Sequence, residues 1–132
     1  MRVKGIDHVN IIAADLEETE RFYETLLGLR ARPMETLLPG FEGRWLFDAD
    51  ERPIIHLMRF DPERHGEGER HGMPTGSIDH VALACDDFAG AIRRCEALGV
   101  EHRVNDRKYG SVRQIFVVDP NNVKLELNFS ND

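Results

Sequence analysis

The tetrapeptide Ile-Asp-His-Val occurs twice in this chain, at Ile6-Asp7-His8-Val9 and at Ile78-Asp79-His80-Val81. The match runs on past the motif: Asp15 aligns with Asp87, Arg21 with Arg93 and Leu26 with Leu98, all at one offset. After a one-residue slip, Trp45-Leu46-Phe47-Asp48 through Ile55-His56-Leu57 parallels Phe116-Val117-Val118-Asp119 through Leu125-Glu126-Leu127. Such a repeat constrains the fold before any local propensity does, because both copies must build the same supersecondary unit. It also puts a His near the start of each half, and a His or a Glu near the end.

At 132 residues the chain has the size of one domain with a real core. A net charge of −7 argues against nucleic acid as a partner, since phosphate binding needs a Lys/Arg surplus. No apolar run approaches the ~20 residues of a membrane helix. The N-terminus enters a strand pattern directly, so no signal peptide is expected. Cys85 and Cys95 lack metal-like spacing and sit in apolar patterns. They are expected to be reduced core residues of a cytoplasmic protein.

Each half is expected to run strand, capped helix, Gly, then three strands. In module one, residues 1–60, Gly5 to Ile12 is a strand. Asp15 caps a helix, with Glu18 completing a capping box and Leu16, Phe22, Leu26 and Leu27 facing the core, and Gly28 stops it. Strands follow near 32–37, 44–47 and 53–60, with turns at Pro39-Gly40 and at Asp48 to Glu51. In module two, residues 77–132, the strand is Ile78 to Cys85. Asp87 caps a helix with Phe88, Ala91, Ile92, Cys95 and Leu98 on one face, ended by Gly99. Strands follow near 101–105, 111–118 and 123–129, with a turn at Asp119 to Asn122. Residues 61–76 read as a solvated linker, where His65 and His71 are expected to be exposed and inert.

Strand side chains alternate faces. His8 shares a face with Ile6 and Asn10, and His80 with Ala82, while Val9, Ile11, Val81 and Leu83 take the face that packs on helices. His56 is flanked by Ile55 and Leu57, and Glu126 by Leu125 and Leu127. All four polar residues should therefore project to the side away from the helices. Three imidazoles and a carboxylate at repeat-related positions make a metal-ligand set. By the same parity Asn10, Met58, Phe60, Gln114, Phe116 and Asn128 are expected to line a partly apolar pocket. Trp45 is open between helix packing, substrate stacking and a subunit contact.

These residues resemble the vicinal oxygen chelate superfamily, which includes glyoxalase I, methylmalonyl-CoA epimerase, type I extradiol dioxygenases and the fosfomycin-resistance thiol transferases. The resemblance rests on the two Ile-Asp-His-Val motifs, on Arg21-Phe22-Tyr23 with Leu27-Gly28-Leu29, and on Phe116 to Asn121 leading to Leu125-Glu126. It implies an α+β fold of two βαβββ modules, forming a cup-shaped eight-stranded mixed sheet around one divalent metal held by His8, His56, His80 and Glu126. Zn, Ni, Co, Mn and Fe all accept such ligands. It further implies a homodimer, in some members with the site shared between chains, and a loop bordering the pocket in which Lys108, Tyr109 and Arg113 would meet an anionic substrate group.

Within that family, His56 discriminates. Extradiol dioxygenases hold Fe(II) with two His and one carboxylate, leaving three positions for catechol and O2. A fourth protein ligand removes one of them. The thiol transferases also resemble a three-ligand pattern. Four ligands on an octahedral ion leave two positions, suited to a small oxygen-chelating substrate whose enolate or enediolate the metal stabilises. This predicts a metal-dependent lyase or isomerase, glyoxalase-like or epimerase-like, with Glu126 as ligand and candidate base. Glyoxalase I usually has a carboxylate or amide where this chain has His56. In epimerases a separate early-strand Glu is the base, for which Glu35 and Glu42 are both placed. Two alternatives stand beside this reading: an extradiol-type dioxygenase with His56 detached, and a non-catalytic binding or resistance protein, including one with a closed tetrahedral Zn site.

Overall fold

The computed structural model describes residues 1–35, 42–66, 72–106 and 112–129. The chain divides into two compact units, Met1–His71 and Gly72–Asp132. The first contains β1 (Val9–Ala13), α1 (Leu16–Leu27), β2 (Arg30–Pro33), β3 (Gly43–Phe47), β4 (Pro53–Arg59) and α2 (Pro62–His65). The second contains β5 (Val81–Ala84), α3 (Phe88–Leu98), β6 (His102–Asp106), β7 (Arg113–Val118) and β8 (Lys124–Phe129). Each unit is a βαβββ module with its own four-stranded mixed sheet, ordered β1-β4-β3-β2 and β5-β8-β7-β6. In both, the first strand lies parallel to the last and the other pairs are antiparallel.

Helix α1 starts where Asp15 stops being extended. Its Oδ1 accepts the Glu18 N–H at 2.8 Å, satisfying one of the free donors of the first turn. Gly28 ends the helix in the left-handed conformation, φ 67, with its N–H returned to Glu24 O. The helix buries Leu16, Thr19, Tyr23 and Leu26, a helical stripe. Ile11, Ala13, Leu46, Ile55 and Leu57 make up the buried sheet face of the same unit. In the second unit Phe88 and Cys95 of α3 accompany Ile115, Val117, Leu125, Leu127 and Phe129, with Phe88 edge-on to Phe129 at 5.3 Å. Each fully buried large side chain contributes about 1.5–3 kcal/mol.

The repeat extends to the turns. Asp48 Oδ1 accepts the Asp50 and Arg52 N–H groups at 3.0 and 2.9 Å. Asp119 Oδ1 accepts those of Asn121 and Val123, both at 2.8 Å. These Asx turns join β3 to β4 and β7 to β8, and so fix the register that places the site residues.

Several expectations need correction. The first strands start later than expected, at Val9 and Val81, so Ile6 and Ile78 precede the ladders and are exposed. The segment expected to be a plain linker contains α2, capped by the Asp61 side chain with Pro62 in its first turn. Tyr23 is fully buried, though it was not assigned to the core face. Leu98 is 47% exposed because it ends α3 and no further turn covers it. Cys85 and Cys95 are free thiols. Burial, with Asp86 adding to it, pushes the Cys85 thiol up to about 11. Among the described residues no helix is long and apolar enough to cross a membrane. The Pro39-Gly40 turn, His71, Lys108 and Tyr109 lie outside the described residues.

Candidate metal centre

In the second unit, β5 and β8 run parallel with Ala82 beside Glu126. His80 directly precedes β5, and its Nε2 lies 3.3 Å from Glu126 Oε2. The other ring nitrogen, Nδ1, is 2.8 Å from Asp79 Oδ1. Lys124 Nζ also reaches Asp79, at 3.1 and 3.2 Å. The hydrogen bonds from His80 and then Lys124 hold the Asp79 carboxyl below its usual range. With Nδ1 held by a carboxylate, Nε2 is the nitrogen left to ligate.

The first unit repeats this at its own histidine. His8 Nδ1 lies 2.6 Å from Asp7 Oδ1. His56, on the central strand β4, has its ring centroid 6.1 Å from that of His8. Burial first, then the neighbouring His8, lowers the His56 pKa, which favours the neutral imidazole that a metal needs. Trp45 pairs across strands with His56 and stacks on it, centroids 4.3 Å apart at 10°. The indole meets His8 edge-on at 4.9 Å. Trp45 thus lies on the ligand face. His56 Nε2 is 3.0 Å from Met34 Sδ, so its outer nitrogen faces a thioether. Gly43 makes room for this: a Cβ there would sit 2.6 Å from Leu57 O and 3.4 Å from His56 Nε2.

Most of the expected pocket residues fall on the ligand faces. Asn10 Nδ2 donates to His56 O at 3.1 Å. Met58 is half-buried, two residues beyond His56 on the same face. Phe116 pairs with Glu126 and carries the Arg103 guanidinium 4.5 Å above its ring. Gln114 and Asn128 are joined to Glu126 by hydrogen bonds. Phe60 stacks against His65, 5.8 Å away at 28°. His65 is not a free exposed ring, since its Nδ1 also accepts the Asp61 N–H at 2.9 Å.

Arg113 is a correction. It opens β7 in the parity of the buried Ile115 and Val117, and its guanidinium lies 5.0 Å from the Phe88 ring of α3. That turns it to the helix face, with Nε bonded to Asp106 at 3.1 Å. Of the two candidate bases, Glu42 is tied to Arg59 at 2.8 Å and Glu35 is exposed.

Among the described residues no three His, Cys, Asp or Glu side chains are gathered into a group that could hold a metal ion. His80 and Glu126 come together as a pair. Two adjacent donors on one divalent ion, each about 2.1 Å from it, lie about 3.0–3.4 Å apart. The His80–Glu126 separation of 3.3 Å fits that spacing. This pair has the chemistry and the spacing of two neighbouring donors to a divalent ion. The roles of Asp7, Asp79, Trp45 and Met34 were not foreseen. The two aspartates had a visible signal, since each precedes its His in the repeated tetrapeptide.

The sequence profile of the Glyoxalase/Bleomycin resistance protein/Dioxygenase superfamily matches residues 5–127, and the chain belongs to that superfamily. Among curated relatives it is 24% identical to Glyoxylase I 4 of Arabidopsis thaliana over 130 residues, covering 96% of this chain and 71% of that protein. It is 26% identical to YaeR of Escherichia coli (strain K12) over 128 residues, covering 95% of each. Among solved structures, the glyoxylase/bleomycin resistance protein/dioxygenase domain from Frankia sp. EAN1pec superposes with a TM-score of 0.76 at 16% identity, covering 99% of this chain and 95% of that one. The fosfomycin resistance protein FosX from Listeria monocytogenes, complexed with Mn(II) and sulfate, superposes with a TM-score of 0.68 at 19% identity, covering 97% and 93%. These likenesses place the fold.

Proposed function

We propose that this protein is a divalent-metal-dependent lyase or isomerase acting on a small substrate that presents two oxygens, with His8, His56, His80 and Glu126 as the metal ligands. The observation that carries the reading is the His80–Glu126 pair at 3.3 Å, with each motif His held at Nδ1 by the Asp before it. That arrangement fixes the imidazole tautomer and aims Nε2 outward, as carboxylate–histidine–metal triads do. A bound divalent ion would supply Lewis acidity, stabilising negative charge on a substrate oxygen once a proton has been removed. Glu126 is the candidate base. Asn10, Met58 and Phe116 are proposed to contact the substrate. A homodimer is the proposed assembly.

One observation favours a second reading. His56 Nε2 faces Met34 Sδ at 3.0 Å. If that contact persists with metal bound, His8, His80 and Glu126 form a two-His, one-carboxylate set, the pattern of Fe(II) dioxygenases. The test is to load the protein with Mn(II), the ion in the FosX complex, or with Fe(II). α-Hydroxy carbonyls and acyl thioesters are then assayed for isomerisation or cleavage, and catechols for O2 consumption. Turnover of the first group supports the lyase or isomerase. Turnover of catechols alone replaces it with the dioxygenase. Stoichiometric metal with no turnover and saturable ligand binding would leave a binding protein.

A further inference from the structure

A line of side-chain amides crosses three strands of the second unit and ends on Glu126. Asn105 Nδ2 donates to Gln114 Oε1 at 2.7 Å, Gln114 Nε2 to Asn128 Oδ1 at 3.1 Å, and Asn128 Nδ2 to Glu126 Oε1 at 2.8 Å. The register makes this possible. Asn105 lies opposite Gln114, and Gln114 opposite Asn128, while Asn128 shares a face with Glu126 two residues away. The direction of the line is dictated by its end. An ionised carboxylate only accepts, so Asn128 must turn its NH2 toward Glu126. Its carbonyl then faces Gln114, which must present NH2, and the Gln114 carbonyl in turn faces the Asn105 NH2. All three amides are therefore oriented by one carboxylate.

The repeat supplies an internal control. Trp45 opposite His56 in the first unit corresponds to Phe116 opposite Glu126 in the second. By the same register Gly43 opposite Met58 corresponds to Gln114 opposite Asn128. The place of Asn105 is taken by Met34, whose N–H bonds Gly43 O. The first unit builds the same sheet with Met34, Gly43 and Met58, none of which has a side-chain amide. The fold thus does not require the three amides, and they occur in the unit whose ligand is a carboxylate.

We propose that Asn128 and Gln114 are positioning residues for Glu126. Asn128 donates to Oε1 and so orients the carboxylate with Oε2, the oxygen beside His80 Nε2, presented as the ligand atom. Glu126 is thereby a single-oxygen ligand, and Oε1 keeps a second lone pair for the proton of the base step. Gln114 acts one step further out, by keeping the Asn128 amide from flipping. The proposal rests on the metal reading above.

Two variants test it. Gln114→Glu keeps size and shape but makes the group an acceptor. It draws the Asn128 NH2 toward itself and turns the Asn128 carbonyl onto Glu126. Asn128→Met puts in place the side chain that the first unit carries at that point, so the sheet is expected to form. Mn(II) and Ni(II) binding are measured by calorimetry. Side-chain amide NMR of the metal-free proteins follows the Asn128 NH2. Both variants should bind metal about 10–100-fold more weakly than wild type, the usual effect of losing an outer-shell partner. In Gln114→Glu the Asn128 amide signal should shift. The sign discriminates, because an added carboxylate acting only through its charge would tighten cation binding. Binding as tight as wild type or tighter in both variants, with wild type binding metal, overturns this proposal and leaves the metal reading intact. A wild type that takes neither metal overturns the metal reading and this proposal with it.

Discussion

Replacing Gly43 by Ala tests how closely β3 must approach β4 beside His56. A Cβ at that position would lie 2.6 Å from the backbone oxygen of Leu57, and 3.4 Å from both His56 Nε2 and Met34 Cε. The nearest atom is backbone and cannot rotate away, so the strands must part or the residue must shift. Gly43 is not among the glycines with positive φ, so the cost is steric and not conformational. Overpacking of this kind costs about 1–3 kcal/mol. The reduced entropy of the unfolded chain returns about 0.4–1 kcal/mol, leaving a net loss of about 0–2.6 kcal/mol, with about 1.3 kcal/mol at the middle of both ranges. At about 4 °C per kcal/mol for a chain this size, the melting temperature should fall by about 5 °C, and by no more than about 10 °C. Circular dichroism melts read the shift. Gly5→Ala, where nothing lies within 4 Å of the added carbon, serves as the control and should melt like wild type. A Gly43→Ala protein that melts above wild type would refute the close-approach argument. The single Trp45 stacks on His56, so its fluorescence should change in the same variant.

Other consequences follow from the turns and the thiols. Asp119 is 4% exposed and accepts two backbone N–H groups. Asp119→Ala should cost about 2–4 kcal/mol in urea unfolding, and Asp119→Asn less, since it keeps one acceptor oxygen. The Asp48 carboxyl is held below the ordinary carboxylate range chiefly by the Arg52 N–H, helped by the Arg52 side chain. Its folded pKa is therefore lower than its unfolded one. Its contribution is fully present above the unfolded value and is lost as pH falls through the folded one. Asp48→Asn should flatten the acid limb of the stability profile below about pH 4 and leave the profile unchanged near neutrality. Burial raises both thiols, Cys85 to about 11. Neither should react with iodoacetamide in the native protein at neutral pH, and both should react in urea, as read by mass spectrometry.

Much of this architecture was legible because the chain states it twice. The repeated tetrapeptide, the Asp caps at 15 and 87 and the glycines at 28 and 99 give two modules of one design. Alternation then puts His56 and Glu126 on the faces away from the helices. Within the ladders alternation places Gln114, Phe116 and Asn128 on the face of Glu126, whereas His8, His80 and Phe60 lie just outside the strands to which it was applied. Arg113 was assigned from an expected loop instead. Its parity with Ile115 and Val117 already pointed to the helix side. The aspartates were harder to read. Neighbours on a strand face opposite ways, so Asp7 would not be expected to reach His8. It does because the ladder begins at Val9, and the same holds for Asp79 before Val81. The amide line was not legible either, since it depends on the register of β6 to β7, which no short turn signal fixes. Met34 beside His56 likewise depends on how β2 leaves the sheet.

The most direct test of the central claim is elemental analysis of the protein after loading with Mn(II) and desalting, comparing wild type with His80→Ala and Glu126→Ala, each checked for folding. The account predicts stoichiometric metal in the wild type and loss of most of it in both variants, because each removes one of two donors 3.3 Å apart. Equal metal in all three proteins, or none in the wild type, would contradict it.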